Sequence, residues 1–90
     1  MTRPEPATLV LYSESGFLAP GPEDIRAVIT MLDLTAAEVA ALVGLRDGRA
    51  VRRWLAPSSS KTHAKIDYAA WRLLLLEAGM VRASRKPAKS

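Results

Sequence analysis

One helix, bracketed at both ends by its own residues, constrains this chain more than any other feature. Thr35-Ala36-Ala37-Glu38 is a complete capping box. A Thr35 hydroxyl can accept from the Glu38 N–H while the Glu38 carboxylate reaches back to the Thr35 N–H. Leu34 before the cap and Val39 at the fourth position can close a hydrophobic staple. Gly44 then offers the left-handed exit at which helices stop. The spacing predicts a short helix over 36–43. Its alanines, Ala36, Ala37, Ala40 and Ala41, leave a surface flat enough for a second helix to cross closely.

The flanking residues place three more helices. Gly21 precedes Pro22, whose missing N–H costs nothing at a first helical position, and Glu23 and Asp24 suit the positive end of the helix dipole. Ile25, Val28, Ile29 and Leu32 recur at helical spacing, so a helix is predicted over about 22–32. Leu45-Arg46-Asp47-Gly48 reads as a turn. Asp47 can cap a third helix from Gly48 to about Leu55, which Pro57 ends because the residue before proline avoids helical geometry. After the polar loop Ser58–Lys65, Asp67 caps a fourth helix over about 67–78, with Gly79 as its stop. Leu9-Val10-Leu11-Tyr12 is either a brief strand or an arm that packs on the core or on a partner. The expected architecture is all-α: a small four-helix domain with a central helix-turn-helix and a short N-terminal strand or arm. Its parts are an arm at 1–20, a domain at 21–81 and a disordered basic tail at 82–90.

Composition narrows the function. At 90 residues there is room for one small domain, which buries only about 60–65% of the unfolded chain's surface and so gains from self-association. There is no cysteine and a single histidine, His63, so disulfides, thiolate metal sites and a protein-built zinc site are not expected. No apolar run approaches the roughly 18–20 residues of a membrane span, and no signal pattern opens the chain. A soluble, intracellular protein is expected. The formal net charge of +4 is unevenly spread: −4 over 1–45, +5 over 46–65, −1 over 66–81 and +4 over 82–90. The acids of the first block are expected to face away from any nucleic acid.

The +5 block coincides with the third helix and the loop after it. Val51 and Trp54, with Leu55, form one inward face. Arg49, Arg52 and Arg53 are left outside, with Arg46 just ahead. Arginine forms a bidentate fork to guanine O6 and N7 in the major groove, and the block's helix holds arginine and no lysine, which favours geometric readout over generic attraction. These four are the candidate base contacts. Thr35, Ser59, Ser60, Lys61, Thr62, His63 and Lys65 are candidate phosphate contacts. Against this stands a solvated arginine face paired to acids of the first helix, a loop that is only a connector, and a tail that only solubilises. In the fourth helix, four successive leucines cover more than one face, and a helix apolar nearly all round must be buried nearly all round. Either it is the central core helix of a monomer, or its outer side meets a second copy through Trp71, Leu75, Leu76 and Met80. Trp54 and Trp71 read as core and not as stacking platforms. No acid–base pair, nucleophile or phosphate loop points to an enzyme.

Taken together, Leu34–Gly44, Val51-Arg52-Arg53-Trp54-Leu55 and the run Lys65-Ile66-Asp67-Tyr68-Ala69-Ala70-Trp71 with Leu73-Leu74 and Gly79 resemble the Cro and phage-repressor class of helix-turn-helix proteins. Within it they are most similar to the anti-CRISPR-associated (Aca) repressors, and to the helix-turn-helix tail of a self-repressing type I-F anti-CRISPR. The resemblance covers about 21–85. It implies a homodimer that binds a palindromic operator, an inverted repeat of double-stranded DNA in the promoter of a phage anti-CRISPR operon, without a small-molecule ligand or cofactor. It also implies that Arg49, Arg52 and Arg53 meet the operator. The chain departs from the usual pattern at one point: Gly44 to Val51 spans seven positions where six is commonest. The extra residue falls within Arg46-Asp47-Gly48 and leaves open which arginine meets which base. The competing class is a protein-binding module, antitoxin-like or an anti-CRISPR partner, that docks the same fold on a protein or nucleoprotein complex.

Overall fold

A computed structural model describes residues 3–82. After a 3-10 turn at Pro6–Thr8 come four helices: α1 (Pro22–Leu32), α2 (Ala36–Val43), α3 (Arg49–Leu55) and α4 (Tyr68–Glu77). The described residues contain no strand, so the strand alternative for Leu9–Tyr12 is replaced by turns and bends. The expected disordered tail at 82–90 lies, beyond Arg82, outside the described residues.

Each helix starts where its residues can satisfy exposed N–H groups. Asp24 accepts the Gly21 N–H at 2.9 Å through Oδ2 and the Glu5 N–H at 2.8 Å through Oδ1, so the start of α1 also anchors the N-terminal arm. The capping box of α2 is closed in both directions, Glu38 N–H to Thr35 Oγ1 at 3.1 Å and Thr35 N–H to Glu38 Oε1 at 2.8 Å. Asp67 accepts the Ala70 N–H at the start of α4. Asp47 accepts the Arg49 N–H at 2.9 Å, yet Gly48, not Asp47, holds the cap position of α3. The helix therefore begins one residue later than its sequence signals predict. Between α1 and α2, Asp33 takes a left-handed conformation at φ 56° that glycine would adopt more cheaply.

The core lies where the four helices meet. α3 packs on α1 and α2, and α4 packs on α1 and touches α2. Ile25, Val28, Val39, Ala40, Val51, Trp54, Ile66, Ala70, Trp71, Leu74 and Leu75 form one buried cluster. Gly44 turns the chain out of α2 at φ 85°, and the Leu45 N–H returns to the Ala40 carbonyl at 2.8 Å. The turn over 44–48 then brings Gly48 against the first residue of α2. A Cβ added at Gly48 would stand 3.1 Å from both the carbonyl carbon and the Cβ of Ala36. The helix-turn-helix thus depends on an absent side chain at Gly48.

The N-terminal arm covers α4. Trp71 donates its indole N–H to the Thr8 carbonyl at 2.8 Å, and Arg72 donates to the Leu9 carbonyl at 3.1 Å. Tyr12, Phe17 and Tyr68 form a three-ring cluster with centroids 5.4–5.6 Å apart. This corrects the interface expected on α4. Trp71 and Leu75 have no exposed surface on the single chain, so neither has area left for a second copy. The chain's own arm supplies much of the cover that a partner was expected to give. Leu76 remains exposed and Met80 half-buried.

Candidate nucleic-acid interface

The polarity of α3 follows from its packing. Val51 and Trp54 point into the core, at 0% and 4% exposure, which leaves Arg49, Arg52 and Arg53 on the outer face. Arg46 is exposed in the turn that leads in. None of the four pairs with an acid of α1. Their surroundings nonetheless divide them. Arg49 lies against Asp47, Nε to Oδ2 at 3.5 Å, with its side chain 84% exposed. Such a pair contributes at most about 1 kcal/mol and is screened by salt. Arg53 donates its Nε–H to the Thr62 carbonyl at 3.1 Å. Among the described residues, the guanidinium groups of Arg46 and Arg52 make no hydrogen bond and no ion pair. The Arg52 guanidinium reaches back over Gly48, where an added Cβ would meet its Nη1 at 3.1 Å.

The 57–65 loop is folded on itself and on α3. The Ser60 N–H bonds the Pro57 carbonyl at 2.8 Å, and the His63 N–H bonds the Ser60 carbonyl at 3.2 Å. The Ser60 and Thr62 hydroxyls share a hydrogen bond of 2.9 Å, and Ser60 Oγ also accepts the Thr62 N–H. His63 Nδ1 lies 3.0 Å from the Ala56 carbonyl. The Ala64 N–H donates to the Arg53 carbonyl at 3.1 Å. Ser59, Lys61 and Lys65 are exposed, and the two lysines have no partner among the described residues. In the tautomer with its hydrogen on Nδ1, His63 donates to the Ala56 carbonyl and Nε2 is left as an acceptor, which a phosphate oxygen cannot use.

Thr35 is less free than its sequence position implies. Both its hydroxyl oxygen and its N–H are engaged with Glu38, which leaves only the hydroxyl proton to offer a phosphate. Glu38 also departs from the expectation that the acids of 1–45 stand clear of this surface. Its carboxylate sits at the start of α2, the end of that helix that abuts Gly48.

Two contributors lie outside what the sequence motifs indicate. Arg72 bonds the carbonyls of Leu9 and of Arg82. Thr8 is buried and ties the arm to Trp71. The bonds from Arg72 to Leu9 and from Trp71 to Thr8 each join residues 63 positions apart, so no local motif reports them. Comparison of the chain with protein-family models, with curated proteins and with solved structures finds no match.

Proposed function

We propose that this chain is a sequence-specific reader of duplex DNA that acts as a transcriptional repressor. The observation that carries the reading is the outer face of α3. It presents Arg52, with Arg46 in the turn that leads in; neither guanidinium has a partner among the described residues, and the other face of the helix is fixed by Val51 and Trp54. Unpaired arginines on a short helix and the turn before it are suited to bidentate contact with guanine edges. Lys61 and Lys65, on the loop attached to the end of the same helix, supply phosphate contacts that set register without reading sequence.

Two copies would place two such helices about 34 Å apart and read an inverted repeat. Occupancy of a promoter by that dimer would exclude RNA polymerase. The resemblance to anti-CRISPR-associated repressors supports an anti-CRISPR operon as the regulated unit. The rival reading, docking on a protein, calls for apolar surface on the outer face of α3. The large apolar side chains exposed among the described residues are Tyr12, Leu18, Met31 and Leu76, and none lies on that helix.

A gel shift on the DNA upstream of the chain's own gene tests the proposal. A shift of that duplex at moderate salt, not matched by a scrambled duplex of equal length, is the expected result. Equal affinity for both, or no shift, overturns it. Arg52→Ala should weaken the specific complex by about 1–3 kcal/mol and relax preference at one base position.

A further inference from the structure

Arg53 stands apart from the other three arginines, because both its ends are committed to one segment. Its side chain donates to the Thr62 carbonyl at 3.1 Å, and its own carbonyl accepts the Ala64 N–H at 3.1 Å. The two bonds flank His63, whose ring nitrogen lies 3.0 Å from the Ala56 carbonyl, one turn further along the same helix end. Three consecutive loop residues are thereby fastened to the last turn of α3. On either side of them stand Lys61 and Lys65, exposed and unpaired among the described residues.

We infer that Arg53 is a positioning residue and not a base reader: it clasps the 57–65 loop to α3, so that Lys61 and Lys65 meet phosphates in fixed register with Arg46, Arg49 and Arg52. This rests on the duplex-DNA reading. A side-on Nε–Nη fork on a guanine would have to release Thr62, and the loop with it; the Nη hydrogens that remain stay where the clasp holds the guanidinium. A lysine has N–H donors of its own, but on a flexible stem without the preorganised planar fork, so it holds Thr62 more loosely. Base discrimination is then left to the three arginines that precede it.

The test uses the full chain as wild type, Arg53→Ala, Arg53→Lys, the pair Lys61→Ala/Lys65→Ala, and the triple variant that adds Arg53→Ala to that pair. Amide exchange is followed first, without DNA. Arg53→Ala should speed exchange at His63 and Ala64 by about five- to tenfold, the worth of one lost hydrogen bond, and Arg53→Lys by less. Binding to a duplex pool with a randomised centre is then measured across salt. Each phosphate contact contributes about 0.9 to the slope of log affinity against log salt. The lysine pair should lower the slope by about 1.8, Arg53→Ala by a similar amount, and the triple variant by no more than either. The base preferences selected by Arg53→Ala should match those of the wild type, while Arg52→Ala shifts them. A changed preference in Arg53→Ala, additive slopes, or wild-type exchange at His63 and Ala64 in Arg53→Ala overturns the inference. Absence of duplex binding by the wild type overturns the DNA reading instead, and the exchange measurement still decides whether Arg53 holds the loop.

Discussion

Tyr68 carries a hydroxyl that is buried and makes no hydrogen bond among the described residues. Its ring is held between Tyr12 and Phe17, so the aromatic packing retains the ring while the polar end lies without a partner. Leaving a buried polar group unpaired costs about 1–3 kcal/mol. Tyr68→Phe should therefore keep the ring contacts and raise stability by about 1 kcal/mol, read as a higher denaturation midpoint at unchanged m-value. A midpoint lowered by the substitution would mean that the hydroxyl has a partner. Single residues of this kind are hard to foresee from sequence. Thr35 and Glu38 are legible because both halves of a capping box lie within four positions. The bond from Trp71 to Thr8 joins residues 63 apart, and no periodicity reports it.

At the scale of the element, the bounds of α1 and α2 follow closely from caps and stops written beside them, and the ends of α3 and α4 do so within a residue. What the pattern does not carry is the close approach at Gly48. A glycine in a turn reads as a stop or a cap, whereas this one is needed because α3 begins against the backbone of Ala36. Gly48→Ala should force α2 and α3 apart by a few tenths of an ångström. The expected cost is about 1–3 kcal/mol in stability and, on the proposed reading, weaker binding to DNA. Thermal denaturation and gel shift together check this, and a variant as stable as the wild type would show that the turn can relax. The leucines of α4 divide by packing in the same way. Leu75→Ala should cost about 2–5 kcal/mol as a cavity in the core. Leu76→Ala should be nearly silent in the fold, and any effect on self-association would appear in sedimentation. Equal stability of the two variants would contradict the burial of Leu75.

Across the whole molecule, the arm turns an apolar helix into a covered one. The four leucines of α4 state a demand for burial, and sequence alone leaves open whether the arm or a second copy meets it. The bonds from Trp71 and Arg72 to Thr8 and Leu9, with the rings of Tyr12 and Phe17, give much of that task to the arm. Trp71→Phe should loosen it, seen as faster proteolysis within residues 9–20 under conditions where the four helices persist. Cleavage no faster than in the wild type would mean that the aromatic cluster alone holds the arm. The charge blocks describe another surface, where the arginines of 46–53 run along α3 and the 57–65 loop folds on its last turn. Selection from a pool of duplexes with a randomised centre, followed by footprinting of the enriched sequence, tests most directly whether that surface reads DNA. The account predicts an enriched inverted repeat protected over two half-sites about one helical turn apart, with enrichment lost in an Arg46→Ala/Arg52→Ala variant. A pool that emerges with no sequence preference, or one enriched equally by that variant, would contradict it.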